Sequence, residues 1–332
     1  MTRFTTFLMA TLFLVGFAWA KGKPGGGGDP VTNPAFVYIG KEQGGKVKGQ
    51  RKDELFIMSS DGNAKESLGV GGLKLVIEEL AWSPDGEWIA FRASTVLYIV
   101  KPDGSGLTKL VENPSGVEHF KGGIDWSPDG RYIVYVRQFV DEIEVVEVAT
   151  GDVTTLDTGS LRPNNGESGG NNVSWSIDLD AGTAGYQTEI AYVHGNITPS
   201  IYMLSVDIST GGALTVGTAT LLTGTNSTRP VFSPDAETVY FRKGVGGGWS
   251  DTALFSIPAD GSAAPVQLTN TEDAYFFDVS PDEAYLIWSE SYIGAEELFR
   301  QDLSTGVVVN ITSTNKIEAS PRWNPAWTND LD

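Results

Sequence analysis

One phrase returns along the chain and constrains its fold more than any other feature. An aromatic or apolar residue precedes Ser-Pro-Asp, and an apolar run ending in an aromatic residue follows it, as in WSPDGEWIAF from Trp82. The serine position recurs at Ser83, Ser127, Ser233 and Ser280, and in degenerate copies at Ser176 and Asn324. Neighbouring copies are 44 to 57 residues apart. The chain is therefore an array of six repeats, and a repeat of this length sets the architecture.

Each repeat contains four short runs that have the composition of β-strands. The first two flank the Ser-Pro-Asp turn, and the last two flank a Gly-containing turn such as Asp61-Gly62 or Asp103-Gly104. Aromatic and β-branched runs bounded by Pro, Asp and Gly are typical of strands joined by tight hairpins. Four-stranded units of about 40–45 residues are propeller blades. The sequence predicts an all-β fold, a six-bladed β-propeller of four-stranded antiparallel blades.

The two ends of the array are incomplete in complementary ways. Residues 35–68 contain three strand-like runs with no Ser-Pro-Asp phrase before them, whereas the last copy, Ile317 to Trp327, has no further runs after it. We expect the C-terminal strand to complete the N-terminal blade and close the ring, because closure protects the edges that open sheets leave free.

The full repeat resembles that of TolB-type β-propellers. The shared features are the Ser-Pro-Asp-Gly phrase after an aromatic residue, a Leu-aromatic third strand such as ELF at 54–56, the Asp-Gly turn and a closing Leu-Thr. The resemblance covers nearly all of the chain after residue 35, without the N-terminal α/β domain of TolB proper. It implies a non-catalytic scaffold that binds a protein or peptide partner at its channel mouth. The competing hypothesis is an exported enzyme or glycan-binding propeller with a divalent metal bound in the channel or in a loop.

The N-terminal residues predict export. Residues 1–20 combine one charge, Arg3, with an apolar stretch and the small-residue site Ala18-Trp19-Ala20, which is the pattern of a signal peptide. Residues 21–34 form a Gly-rich flexible linker, and residues 35–332 form a single propeller domain. The chain has no cysteine. We expect a soluble monomer in the periplasm or the medium, with no membrane span.

Charge excludes one class of partner and marks one loop. The net charge of −19 argues against nucleic acid as a partner. Within this acidic chain, a Gly-rich segment between the first two strands is basic. Its cations are Lys41, Lys46, Lys48, Arg51 and Lys52. This basic loop could steer an anionic partner, and the alternative is a solvated hairpin tip.

Catalytic patterns are sparse. Residues 166–170 match G-x-S-x-G, but the strand, sharp turn and helix which that motif requires are missing from the surrounding sequence. The two histidines, His119 and His194, fall in different repeats and provide too few ligands for a zinc site. We therefore expect a protein that works by binding and that requires no cofactor.

One segment offers a possible calcium site. Asp178, Asp180 and Glu189 occupy positions 1, 3 and 12 of a calcium-loop pattern, but Gly182 and Thr183 replace a ligand and the glycine that the loop needs. The flanking residues read as strands rather than helices. The alternative to bound calcium is a long polar hairpin.

The start of each innermost strand should surround the channel mouth. Residues there differ between repeats, which is expected of a surface that binds a partner and also of a channel mouth that binds nothing; the concave shape favours binding. This channel-mouth set contains Glu78, Glu79, His119, Lys121, Asn171, Asn172, Arg229, Tyr275, Phe276 and Glu318. We expect Glu79, Lys121 and Arg229 to be exposed charges at the edge of a concave binding surface. The aromatic residues before each Ser-Pro-Asp should instead pack between blades.

Overall fold

Each repeat folds into one antiparallel sheet, and six such sheets form a ring. The computed structural model describes residues 31, 33–41, 53–73, 76–93, 95–112, 120–137, 142–160, 163, 173–176, 185–195, 198–245, 252–269, 274–290, 297–312 and 317–328. The one helix among these residues is a 3-10 turn at Val70–Leu73. No helix in the described ranges is long and apolar enough to cross a membrane.

The strands follow the predicted runs. The first three repeats contain β1 (Phe36–Lys41), β2 (Asp53–Met58), β3 (Lys65–Ser67), β4 (Ile77–Trp82), β5 (Ile89–Ala93), β6 (Val96–Val100), β7 (Thr108–Glu112), β8 (Phe120–Trp126), β9 (Tyr132–Arg137), β10 (Glu142–Glu147) and β11 (Val153–Leu156). The remaining chain contains β12 (Val173–Trp175), β13 (Tyr186–His194), β14 (Ser200–Ile208), β15 (Leu214–Val216), β16 (Thr220–Leu221), β17 (Ser227–Phe232), β18 (Thr238–Gly244), β19 (Thr252–Pro258), β20 (Val266–Gln267), β21 (Ala274–Val279), β22 (Tyr285–Glu290), β23 (Leu298–Asp302), β24 (Val308–Asn310) and β25 (Ile317–Trp323).

The blades are numbered in chain order, each from its innermost strand outward. Blade 1 is β25-β1-β2-β3, blade 2 is β4 to β7, blade 3 is β8 to β11, blade 4 is β12 to β16, blade 5 is β17 to β20, and blade 6 is β21 to β24. Blade 1 confirms the predicted closure, because its innermost strand comes from the C-terminus. The predicted six-bladed β-propeller is confirmed.

Closure is held by pairing and by aromatic packing. β25 pairs with β1 in antiparallel register from Lys41↔Ile317 to Phe36↔Trp323. The rings of Phe36 and Trp323 meet edge to face, with centroids 5.6 Å apart, and Trp327 packs on Trp323 at 5.1 Å. The C-terminal strand therefore supplies both the hydrogen-bonding edge and part of the core of blade 1.

The Ser-Pro-Asp phrase forms the turn between the first and second strands. In blade 2, the Oγ of Ser83 donates to Asp85 Oδ1 at 2.5 Å and accepts the Trp88 N–H at 2.9 Å. The same Asp85 oxygen accepts the Glu87 N–H at 3.0 Å. Blades 3, 5 and 6 repeat these bonds around Ser127, Ser233 and Ser280. The recurrence of the phrase is thus explained by local turn chemistry.

The ring has two faces, which differ in the connections they carry. The Ser-Pro-Asp face carries these first turns together with the turns between third and fourth strands. The opposite face carries the connections between second and third strands and those between blades. The innermost strands run from the opposite face to the Ser-Pro-Asp face, so their last residues lie beside the Ser-Pro-Asp turns.

Aromatic residues at the ends of the innermost strands pack between blades, as predicted. Trp82 is buried, and its Nε1–H donates to the carbonyl of Arg322 in blade 1 at 3.1 Å. Trp126 is buried, and its Nε1–H donates to the carbonyl of Ala81 in blade 2 at 3.2 Å. Each indole therefore joins its own blade to the preceding one.

Blade 4 differs from the expected pattern. The sequence predicts an enlarged turn between Asp207 and Thr220, but part of this segment forms β15, which pairs with β14. β16 pairs farther along the same strand. The reason is length, because β14 has nine residues and can pair with two short outer strands in succession.

Candidate binding site in the central channel

The innermost strands place two layers of side chains around the channel. The first layer lies two residues before each Ser-equivalent position, next to the Ser-Pro-Asp face. It contains Ala81, Asp125, Ser174, Val231, Asp278 and Arg322, and we call it the carboxylate layer. The second lies two residues deeper. Its described members are Glu79, Gly123, Arg229, Phe276 and Ser320, and we call it the arginine layer.

The arginine layer coincides with a break in the strands. The pairing of β4 with β5, β17 with β18 and β21 with β22 shifts register at this point, which is the signature of a β-bulge. Arg229 and Ser320 have positive φ angles, 58° and 53°, at the position where blade 3 has Gly123. A non-glycine residue in this conformation costs about 1–2 kcal/mol. Backbone strain of this kind often accompanies functional positions.

Arg229 lies at the centre of an aromatic stack. Its guanidinium carbon is 4.0 Å from the ring centroid of Tyr275 and 4.4 Å from that of Phe276. The guanidinium of Arg242 also contacts the Tyr275 ring, at 5.0 Å. Arg229 is buried, whereas Tyr275 and Phe276 are partly exposed. The three residues are therefore held in a fixed arrangement beneath the opposite face.

The charge of Arg229 is matched by a buried acid of blade 2. Burial raises the pKa of Glu79, against the opposing effect of Arg92, Arg229 and Arg322. Burial also lowers the pKa of Arg229, against the opposing effect of Tyr275 and Glu79. Each of the two groups thus stabilises the charged form of the other in a site with little water.

The expectation that Glu79 and Arg229 are exposed edge charges is wrong. Both are 3% exposed. The physical reason is the β-bulge. At Arg229 the strand pairing shifts register and φ is positive, and the side chain packs inside the ring.

The other members of the channel-mouth set divide into two groups. Glu318 is buried, and Glu78 is partly exposed and forms an ion pair with Arg92. Lys121 lies in β8, but its side chain is outside the described part of the structure. His119, Asn171 and Asn172 also lie outside the described residues. Binding of a partner by this set stays a prediction.

At the Ser-Pro-Asp face the channel widens into a cavity of about 80 Å³. Its wall combines the aromatic residues that end the innermost strands with the prolines of the first turns, and its floor is the carboxylate layer. We call it the axial funnel. Its lining residues are Ala81, Trp82, Pro84, Asp125, Trp126, Ser174, Trp175, Val231, Phe232, Pro234, Asp278, Val279, Pro281, Arg322, Trp323 and Pro325.

The floor carboxylates are tied to neighbouring blades. Asp125 of blade 3 accepts hydrogen bonds from the Ser174 hydroxyl at 3.0 Å and from the Trp175 N–H at 2.9 Å. Asp278 of blade 6 accepts the Trp323 N–H of blade 1 at 2.8 Å. Arg322 donates from Nε to the carbonyl of Leu80 at 3.2 Å.

Burial controls the proton affinity of these acids. It raises the pKa of Asp125, and it raises the pKa of Asp278 to about 6. Arg322, whose Nη1 is 3.7 Å from Asp278 Oδ1, opposes both effects. The floor therefore holds two carboxyl groups and one guanidinium. The sequence analysis did not identify this floor. A usable signal was present, because side chains alternate along a strand, so the residue two positions before each serine faces the channel like the residue four positions before it.

The proposed metal and loop sites are mostly outside the described residues. Asp178 and Asp180 are among these, as are Lys46, Lys48, Arg51 and Lys52 of the basic loop, while Lys41 ends β1. Glu189 lies in β13, and burial raises its pKa. Within the described ranges, no group of three or more His, Asp or Glu side chains is placed to hold a metal. His194 ends β13 and contacts Tyr202 edge to face, at 5.4 Å.

Comparison with known proteins identifies similarity at the level of fold. No family model matches the chain, and no curated protein matches it. Several solved structures are similar to it in fold. TolB from Acinetobacter baumannii superimposes with a TM-score of 0.64 at 15% identity, over 87% of this chain and 66% of that chain. A putative TolB from Agrobacterium tumefaciens superimposes with a TM-score of 0.58 at 14% identity, over 88% of this chain and 99% of that chain.

A third structure shows how widely the architecture is shared. A chain of a nidogen/laminin complex gives a TM-score of 0.60 at 11% identity, over 88% of this chain and all of that chain (100%). Identities this low establish a shared fold and leave the site to be argued from its own residues. The predicted resemblance to TolB-type propellers is therefore confirmed as a resemblance of fold.

Proposed function

We propose that the protein is an exported, non-catalytic propeller scaffold that binds a protein or peptide partner at the channel mouth on the opposite face. The observation that carries this proposal is the stack of Arg229 with Tyr275 and Phe276. Tyrosine, phenylalanine and arginine are enriched at protein interfaces, and tyrosine and arginine dominate their hot spots. Here the arginine fixes two partly exposed rings from below.

The energetic cost of the stack supports a role beyond stability. Arg229 is a charged residue, buried, and strained at a φ of 58°. Buried charges are stabilising only when well paired, and apolar residues of similar volume often serve a core better. A rigid aromatic surface at the axis loses little conformational entropy when a partner docks, which favours affinity.

Export and localisation belong to the same proposal. The sequence of residues 1–20 supports secretion to the periplasm or the medium, followed by removal of the signal peptide. A partner would then be found among exported proteins.

The test is capture followed by mutation. The purified protein is immobilised, incubated with periplasmic extract, and its captured proteins are identified by mass spectrometry. Binding of the purified partner is then measured for wild type and Tyr275→Ala. We expect Tyr275→Ala to weaken binding by about tenfold or more, because it removes a hot-spot ring.

Tyr285→Ala is the matched control. Tyr285 is also partly exposed, and it stacks on an arginine of the same blade, Arg300, at 4.7 Å, but next to the Ser-Pro-Asp turn. Melting temperatures of both variants verify folding. Equal binding by Tyr275→Ala and wild type, or a loss confined to Tyr285→Ala, would remove the channel mouth as the binding site.

A further inference from the structure

Acidic side chains are concentrated on the Ser-Pro-Asp face. The first turns of blades 2, 5 and 6 each carry two acids close together and no base. These residues are Asp85, Glu87, Asp235, Glu237, Asp282 and Glu283. They surround the axial funnel, because the prolines of the same three turns line it. These three turns therefore present a negative potential to an approaching molecule, whereas the first turn of blade 3 combines Asp129 with Arg131.

Turn formation accounts for only part of this charge. The aspartates accept turn hydrogen bonds, but the turn of blade 1 has Ala326 at the aspartate position, and Asn324 at the serine position accepts the Ala326 N–H at 3.0 Å through its neutral amide. Glu87 and Glu237 are exposed, and they accept no side-chain hydrogen bond from the described residues. Charge at these positions is therefore not required by the fold.

The acids of blades 5 and 6 also lie close enough to repel one another. Tyr240 of blade 5 donates its hydroxyl to Glu283 of blade 6 at 3.3 Å. Burial raises the pKa of Glu283, and the charges of Asp235 and Glu237 raise it further. A cation placed at this boundary would relieve the repulsion.

The axial funnel provides a second, independent observation. Its wall is aromatic and prolyl, which suits the methylene chain of a lysine or arginine, and its floor has two carboxyl groups against one guanidinium. Long cationic side chains commonly bury their stems against such surfaces while the charged end meets an acid. A single side chain is also the appropriate scale for a cavity of about 80 Å³.

The placement of the acids favours a polypeptide as the ligand. The six acids lie in turns of three different blades around the funnel. A simple amine or metal ion would meet one pair of acids, whereas a peptide segment with several cations meets more than one pair while one of its side chains enters the funnel.

We propose that the Ser-Pro-Asp face docks a basic polypeptide segment, with one lysine or arginine side chain entering the axial funnel. This surface is separate from the channel mouth around Arg229. The protein would thus have two binding ends on one axis, with different chemistry at each.

The test uses a defined probe, a fluorescein-labelled octapeptide of alternating glycine and lysine, with glutamate in place of lysine as the negative probe. Fluorescence anisotropy gives the affinity, and calorimetry of the unlabelled peptide gives the stoichiometry. One variant replaces Glu87, Glu237 and Glu283 by Gln. Its control replaces Glu112, Glu142 and Glu297 by Gln, which removes equal charge near the opposite face.

We expect one lysine peptide to bind per protein. The affinity should be about tenfold weaker in the first variant and should change less than about twofold in the control. The difference should shrink as salt rises. Asp278→Asn should also lower the affinity for the lysine peptide, and its melting temperature verifies folding. Tyr275→Ala should leave this affinity unchanged.

Other outcomes overturn the proposal. No binding, equal binding of the glutamate peptide, several peptides per protein, or equal weakening in both triple variants would show that there is no specific cationic dock. An unchanged affinity in Asp278→Asn would exclude side-chain entry into the funnel. The two proposals are tested separately. The lysine peptide tests the Ser-Pro-Asp face, with Tyr275→Ala as the channel-mouth variant, whereas the captured partner tests the channel mouth, so the failure of one proposal is distinguishable from the failure of the other.

Discussion

The buried carboxyl of Asp278 should make the stability of the ring depend on pH in a defined direction. Burial raises its pKa from 3.8 to about 6 in the folded protein. One pKa unit corresponds to about 1.4 kcal/mol, so the difference amounts to about 3 kcal/mol. The folded state binds the proton more tightly than the unfolded chain. The stabilisation is therefore complete below about pH 4 and is lost as the pH rises through about 6.

The perturbation is Asp278→Asn. The free energy of unfolding of the wild type should include a fall of up to about 3 kcal/mol between pH 4 and pH 7 that the variant lacks. Burial raises the pKa of Glu79 and Asp125 as well, but these groups titrate in both proteins and largely cancel in the difference. The absolute stability of the variant is a separate matter, since the two carboxylate oxygens accept the Val279 and Trp323 N–H groups and an amide has only one acceptor oxygen.

The assay is urea unfolding at half-unit steps from pH 3.5 to 7.5, followed by tryptophan fluorescence. Asp152→Asn, at an exposed acid in the outer turn of blade 3, is the control and should run parallel to wild type. Parallel curves for wild type and Asp278→Asn would refute the reasoning, because they would mean that Asp278 binds protons equally in the folded and unfolded states.

Three further predictions test the ring and its loops. Deleting the chain from Ile317 onward should abolish the cooperative melt or cause aggregation, since blade 1 loses its innermost strand; a deletion mutant that melts like the parent would contradict the closure. Millimolar calcium should raise the melting temperature if the loop of Asp180 binds it, and Asp180→Ala should abolish the rise; no shift leaves the polar hairpin. Replacing Lys46, Lys48 and Lys52 by Gln should slow association of an anionic partner more than it speeds dissociation, an effect that stopped-flow mixing at low and high salt can measure.

The fold was predictable because its determinants are local. The Ser-Pro-Asp turn is closed by bonds within five residues, as between Ser83 and the Trp88 N–H, so the phrase alone specifies a hairpin. Closure was predictable because residues 35–68 and the segment from Ile317 are complementary fragments of one unit. Blade 4 was less predictable, since the double pairing of β14 depends on strand length rather than on turn residues.

The channel was harder to predict because its geometry depends on tertiary context. Arg229 takes a positive φ, which sequence patterns assign to glycine, and the resulting bulge accompanies its burial. Asp125 and Asp278 carried a usable signal, since both lie two residues before a Ser-Pro-Asp phrase. Their hydrogen bonds to the next blade could not be read from one repeat, because they depend on how adjacent blades meet.

Hydrogen bonding explains where the floor groups lie but not why two of them are charged. Ser174 links blade 4 to blade 5 by accepting the Phe232 N–H at 3.3 Å, as Asp125 and Asp278 link their own blades to the next. A neutral hydroxyl thus does the same work at an equivalent position, and Val231 shows that an apolar side chain also fits there. Ionised carboxylates are the most costly way to fill such a site. The residual charge, facing an aromatic cavity on an acidic surface, is what a cationic ligand would neutralise.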